Sequence, residues 1–176
     1  MNVEQITAHY RSRLACIYVR QSTSHQVYHH QESQRRQRAL VDRAHQFGWS
    51  PEQVQVIDED LGQTAAGTAD RSGFAQLVSQ TALGHVGLIL ASDASRLSRC
   101  NRDWYHLLDI CAVTDTLIGD SEGLYNPKQH NDRLLLGLKG AMSEAELHTM
   151  QQRLVQSMVT DIPLSRRLTS ASFTVF

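Results

Sequence analysis

Leu14-Ala15-Cys16-Ile17-Tyr18-Val19-Arg20-Gln21-Ser22-Thr23-Ser24 is the stretch on which the reading of this chain turns. An apolar run from Leu14 to Val19 meets one arginine and then opens into hydroxyls. A run of this length reads as a buried strand, and the residues after it read as the loop at its carboxyl end. Side chains two apart on an extended chain point the same way. Arg20 and Ser22 can therefore share a face, with a guanidinium beside a serine hydroxyl. Taken alone, the stretch reads first as a strand end decorated with polar residues, so the rest of the chain decides its meaning.

Working outward, residues 1–13 are polar and mixed and read as a loose lead-in. The loop over 21–30 carries His25, His29 and His30. His25 and His29 are four apart, but no Cys or acidic residue stands at ligand spacing, so a metal site is not supported. From about Gln31 to Phe47 the pattern is helical. Ala39, Leu40, Ala44 and Phe47 form an apolar stripe, and Arg35, Arg36, Arg38 and Arg43 project from the other faces. Gly48 suits the helix end. Val54 to Ile57 reads as a second strand. The small, polar run Gly62 to Ala69 is a loop of the kind that carries function. The next helix runs to about Leu83, with Phe74, Leu77 and Val78 inward, and Gly84 ends it.

Val86 to Ala91 is the most apolar strand, which fits one covered on both faces. Ser92-Asp93-Ala94-Ser95-Arg96-Leu97-Ser98-Arg99 lies at its carboxyl end. A helix from Asn101 to Val113 buries Trp104, Leu107, Leu108 and Cys111. Thr116 to Ile118 is a fourth strand, with Asp120 at its exit, and a loop runs from Asp120 to Asn131. A long helix is then expected from about Asp132 to Val159, with Leu134, Leu135, Leu138, Ala141, Met142, Ala145, Leu154 and Met158 at helical spacing. At roughly 28 residues it would be about 40 Å long, more than a small domain needs to cover its sheet. Gly137 and Gly140 weaken it intrinsically, so packing must hold it. The last stretch, Asp161 to Phe176, has no period, and a disordered tail is expected over 160–176.

The alternation of strands and helices predicts an α/β three-layer sandwich with a mainly parallel sheet. The 176 residues suffice for one domain, and 41% hydrophobic residues argue against global disorder. Seventeen basic and eighteen acidic residues give a net charge of -1, which does not mark a nucleic-acid binder by itself. The cations are skewed, however. Lysine occurs only as Lys128 and Lys139, so fifteen of the seventeen are arginine, the side chain suited to bidentate phosphate contacts. Cys16, Cys100 and Cys111 are an odd number with no CxxC pair, against a disulfide framework. With no membrane-length apolar run or signal core, a cytoplasmic protein is expected.

Ligands bind such sheets at the carboxyl ends of the strands. Converging there are Arg20 and Ser22 from the first loop, Arg71 after the second, and Arg96 and Arg99 after the third. Arg96 and Arg99 are three apart, so at a helix start they share a face. No histidine or carboxylate pair stands at motif spacing to Ser22, which argues against a hydrolase triad. Clustered guanidiniums suit a reaction in which negative charge builds on phosphate oxygens, with serine as nucleophile on a phosphodiester.

At this point the motifs resemble a known family. Tyr18-Val19-Arg20-Gln21-Ser22-Thr23-Ser24-His25-Gln26, Asp70-Arg71-Ser72-Gly73-Phe74 and Ser95-Arg96-Leu97-Ser98-Arg99 resemble motifs of the serine site-specific recombinases, the resolvase/invertase family. Asn131 to Gly140, continuing through Ser143-Glu144-Ala145-Glu146-Leu147, resembles the long interface helix of its larger, transposon-type members. The resemblance covers about residues 14–155. It implies a resolvase-like catalytic domain over 14–130 and a dimerisation helix over 131–159. It implies Ser22 as the nucleophile that links to a DNA 5′ end and releases a 3′ hydroxyl. Arg20, Arg71, Arg96 and Arg99 would surround the scissile phosphate and so bind DNA. Gln26, Thr64 and Glu146 would support the site, together with Gln34 or Gln37, between which the register does not choose. The family uses no metal or other cofactor, binds DNA as a homodimer, and synapses as a tetramer for strand exchange.

Two departures accompany the resemblance. Ser95 stands where many resolvases place an aspartate, with Asp93 offset by two, and Thr64 stands where many carry a serine. The basic DNA-binding region that comes after the long helix in the family is expected to be absent, since only Ser165-Arg166-Arg167 hints at it. The rival expectation is a non-catalytic module that pairs with full-length recombinases through the 131–159 helix. A phosphate-binding regulator of flavodoxin type would explain the sheet but not all the motifs.

Overall fold

The computed structural model describes residues 6–20, 27–59, 72–98, 100–141 and 149. Five strands form one sheet: β1 (Leu14–Arg20), β2 (Val54–Glu59), β3 (Val86–Leu90), β4 (Leu117–Gly119) and β5 (Leu124–Tyr125). Their spatial order is β2-β1-β3-β4-β5. The first four are parallel, and β5 returns antiparallel to β4 with Gly119 opposite Leu124. The mainly parallel α/β sandwich expected from the sequence is therefore present. β5 was not anticipated: two residues inside a polar loop carry no period to read.

The helices are α1 (Ala8–Arg11), α2 (Val27–Gln46), α3 (Ser72–Ala82) and α4 (Asn101–Thr114), with α5 over 130–141. From β1 the chain steps to β2 in one direction. It returns past β1 to β3, and then continues outward to β4. Right-handed crossovers in opposite directions place their helices on opposite faces. The core divides accordingly. Ala15, Ile17 and Val19 of β1 pack with Leu40, Ala44, Phe47 and Trp49 beneath α2. Cys16 and Tyr18, pointing the other way, join Leu77, Trp104, Leu107, Leu108, Cys111 and Leu136 beneath α3, α4 and α5. Phe74 and Val78 pack partly buried against that cluster.

The structure corrects several expectations. The lead-in is not loose from residue 6 onward, because Ile6 and Tyr10 are buried in the α2-side core. Gly87 on β3 lies directly under the Tyr10 carbonyl, where a Cβ would collide with that oxygen. A single helical turn with one apolar contact every few residues leaves little sequence signal. α2 starts at Val27, four residues before the expected Gln31. Ala39, assigned to its buried stripe, is exposed. Arg43, assigned to a solvated face, instead donates from Nη1 to the Asp120 carbonyl and lies over the Phe47 ring. On α5, Leu134, Leu135 and Leu138 are 59%, 49% and 54% exposed, while Leu136 is fully buried. The apolar stripe thus faces away from the domain. The rest of the expected helix to Val159, residue 149 aside, and the 160–176 tail lie outside the described residues.

Candidate functional site at the carboxyl edge of the sheet

The strand order makes one crevice special. Because the chain leaves β1 toward β2 and later enters β3 on its other side, the β1 and β3 loops diverge at their carboxyl ends. Open α/β sheets bind ligands at this switch point. Ile17 pairs with Leu90, so β1 continues three residues past the end of β3, to Arg20, which pairs with Glu59 of β2. The β3 exit turns at once into a 3-10 segment, Ala94–Arg96. Arg20 and Arg96 therefore belong to adjacent strand exits on one edge.

The β3 exit is built around two carboxylates. Asp93 caps the 3-10 turn, its Oδ1 accepting from the Ser95 N–H at 2.9 Å and from the Ser95 hydroxyl at 2.7 Å. The departure noted in the sequence thus has a structural counterpart. Ser95, where an aspartate is common, acts as a donor to the offset Asp93, which sits one residue before the turn. Asp120, at the β4 exit, is the second carboxylate and is 1% exposed. Its Oδ1 accepts from the N–H groups of Glu122 at 2.9 Å and Gly123 at 3.0 Å. Its Oδ2 accepts from the Ala94 N–H at 3.3 Å and from Lys139 Nζ at 2.9 Å.

Lys139 comes from α5 and also donates to Glu122 at 2.6 Å, with its ammonium 5.5 Å from the Tyr125 ring centre. Burial pushes the Asp120 carboxyl up, but Lys139 and the Glu122 and Gly123 N–H groups outweigh it and hold the carboxyl below the usual aspartate range. Burial pulls the Lys139 ammonium down, and Glu122 and Asp120 more than reverse this, holding it above the usual lysine value. Farther along the same face, α5 is seated on α4. The Trp104 indole N–H donates to the Leu136 carbonyl at 3.0 Å. Gly140 lies against the same indole, so closely that a Cβ would overlap Cδ1 and Nε1. This answers the problem the sequence posed, since a helix weakened by Gly137 and Gly140 is held by packing.

Between α2 and the β3 and β4 exits lies a cleft of about 510 Å³, lined by Arg36, Arg43, Ser92, Asp93, Asp120 and Glu122 among others. Its charges are mixed, and both Asp120 and Glu122 are already engaged by Lys139.

Of the residues singled out in the sequence, Arg20 and Arg96 are placed by their backbone at neighbouring strand exits. Their side chains lie outside the described residues. Ser22, Gln26, Thr64, Arg71, Arg99 and Glu146 also lie outside them. Gln34 is exposed on α2 and Gln37 is half-buried. Asp120 and Lys139 were not recognised as partners from the sequence. The available signals were slight: an aspartate directly after a short strand, and one of only two lysines standing on an apolar helix. Among the described residues no three His, Cys, Asp or Glu side chains are grouped to hold a metal ion, and no helix is long and apolar enough to cross a membrane.

Comparison with known proteins gives the same direction. A family model described as "Resolvase, N terminal domain" matches residues 15–161. An uncharacterized protein of Sinorhizobium fredii, y4bA/y4pH, is 51% identical over 150 residues, which is 85% of this chain but 22% of that protein. The chain thus spans about a fifth of the length of this relative. Among solved structures, a resolvase family site-specific recombinase from Streptococcus pneumoniae superposes with a TM-score of 0.56 at 17% identity, over 84% of this chain and 97% of that one. The N-terminal catalytic domain of TP901-1 integrase superposes with a TM-score of 0.50 at 20% identity, over 78% and 98%. These two likenesses speak to the fold, while the matched model speaks to descent: the chain belongs to the resolvase family and matches its N-terminal domain.

Proposed function

We propose that this chain is the catalytic domain of a serine site-specific recombinase that cleaves and rejoins DNA through a phosphoserine intermediate. The observation that supports it is the shared exit of β1 and β3. Arg20 and Arg96 leave adjacent strands at the switch point of the sheet, with Ser22 two residues beyond Arg20 in the chain. In this reading the Ser22 oxygen attacks the phosphorus and the bond to the 3′ oxygen breaks. The serine proton is balanced by protonation of the leaving 3′ oxygen. The new ester conserves the bond energy, so resealing by the reverse attack needs no cofactor. Arg20, Arg71, Arg96 and Arg99 bind the phosphate and offset the charge that builds on its oxygens. Gln26, Thr64 and Glu146 support them. The protein pairs as a homodimer through the 131–159 helix and synapses as a tetramer.

The test is to fuse the chain to a zinc-finger module and supply DNA with paired finger sites across spacers of varied sequence. A protein–DNA adduct that survives detergent is expected, and its absence in Ser22→Ala. An adduct that persists in Ser22→Ala would sink the assignment. One observation favours a second reading, an assembly module that pairs with longer recombinases without cutting. Leu134, Leu135 and Leu138 are exposed on α5, an apolar face of the sort that marks an interface. Wild-type fusions that dimerise but yield no adduct on any spacer would support this alternative.

A further inference from the structure

We infer that Asp120 is a positioning residue, whose Oδ2 atom joins the turn carrying Arg96 to helix α5, so that the set of that turn depends on the seating of the helix. The inference rests on the reading of Arg96 as a phosphate-binding residue.

The two oxygens of Asp120 have different work. Oδ1 is tied down locally by the Glu122 and Gly123 N–H groups, which fixes the plane of the carboxylate. Oδ2 is left to face two other elements. One is Ala94, fully buried, the first residue of the 3-10 turn that ends in Arg96. A buried N–H needs an acceptor, and Oδ2 supplies it, at the long distance of 3.3 Å. The other is Lys139 of α5, at 2.9 Å. A small displacement of the carboxylate therefore decides whether the Ala94 bond is kept, and Lys139 sets the place of the carboxylate.

A second cation approaches from the opposite face of the sheet. Arg43 of α2 donates to the Asp120 carbonyl and lines the same cleft. Asp120 thus meets cations from two helices at different atoms, Arg43 at its backbone carbonyl and Lys139 at its carboxylate, so its placement answers to the seating of both. If α5 shifts and Lys139 withdraws, Oδ2 is released, the Ala94 N–H loses its acceptor, and the turn before Arg96 loosens. Pairing through the exposed face of α5 would then be felt at the strand exits.

The experiment is amide hydrogen exchange on the free chain. In Lys139→Gln, exchange at Ala94 and Leu97 should rise roughly five- to tenfold, the size expected for loss of one ordinary hydrogen bond. Exchange at Leu88 to Leu90 should stay unchanged, and Lys139→Arg should restore protection. Arg133→Gln, which removes the α5 ion pair with Asp109, should have no effect at Ala94. In the zinc-finger fusion, Lys139→Gln should lower the rate of adduct formation at saturating DNA several-fold, with half-saturation by DNA unchanged. Unaltered exchange at Ala94 and Leu97 would overturn the coupling, as would an equal rise at Leu88 to Leu90 or in Arg133→Gln. Raised exchange with an unchanged adduct rate would overturn the positioning role. Exchange is read without DNA, so its outcome is independent of whether Ser22 is the nucleophile.

Discussion

Two glycines three residues apart on α5 should respond to alanine with opposite signs. In a helix interior, glycine is about 1 kcal/mol less favourable than alanine. At Gly137 an added methyl would meet the Tyr105 hydroxyl at 3.6 Å, an ordinary contact. Gly137→Ala should therefore stabilise the chain by about 0.5–1 kcal/mol. At Gly140 the methyl would overlap the Trp104 indole, which is 1% exposed and packed among Leu107, Leu108 and Leu136. A buried ring has nowhere to rotate, so α5 must lift. Overpacking of this kind costs about 1–3 kcal/mol, and separating the indole N–H from the Leu136 carbonyl costs about 1 kcal/mol more. After the helix-propensity gain of about 1 kcal/mol, Gly140→Ala should destabilise by roughly 1–3 kcal/mol. Urea unfolding monitored by tryptophan fluorescence measures both variants against the wild type. If Gly140→Ala raised the midpoint as Gly137→Ala does, α5 would not be seated on Trp104 as described.

The remaining predictions concern charge, surface and thiols. Asp120 is held below the ordinary aspartate value, so its contribution to stability is present above about pH 4 and lost as the pH falls through its folded value. Asp120→Asn should flatten the acid limb of a plot of urea midpoint against pH. Lys139 is held above the ordinary lysine value, so its contribution is complete below about pH 10 and fades at higher pH. Asp120→Ala leaves Lys139 with Glu122 alone and takes the acceptor from the Ala94, Glu122 and Gly123 N–H groups, and should cost roughly 3 kcal/mol. Replacing Leu134, Leu135 and Leu138 by serine should leave the unfolding midpoint nearly unchanged but abolish self-association in sedimentation. Burial pushes the Cys16 thiol up to about 12 and that of Cys111 higher still, while Cys100 is exposed. The native chain should therefore give one rapidly reacting thiol with an aromatic disulfide reagent, and three only in denaturant.

The parts of the fold visible in the sequence were those with a strong period. The run from Leu14 to Val19 and the run from Val86 to Leu90 are covered on both faces, and nearly every residue in them is apolar. Trp104, Leu107, Leu108 and Cys111 recur at helical spacing and are buried. Short elements escaped. α1 has four residues and β5 has two, fewer than a period needs. Arg43 was misread for a different reason, since its partner is a backbone carbonyl 77 residues away. At the site, the sequence could identify nucleophile and arginine candidates because their side-chain chemistry is unusual in company. It could not show that Asp120 serves Ala94 and Lys139 with one oxygen. That fact depends on the side-by-side exits of β3 and β4 and on where α5 lies.

The two-residue strand β5 has a consequence for how the molecule can meet others. A sheet grows by presenting unpaired N–H and C=O groups along an outer strand. β5 offers only two residues, and the chain then passes through buried Asn126 and Pro127. A visiting strand would find almost no ladder to continue on that side. On the β5 side, association is thus steered away from the backbone and onto side chains of helices. Contacts of that kind can be parted and remade without any strand leaving its sheet.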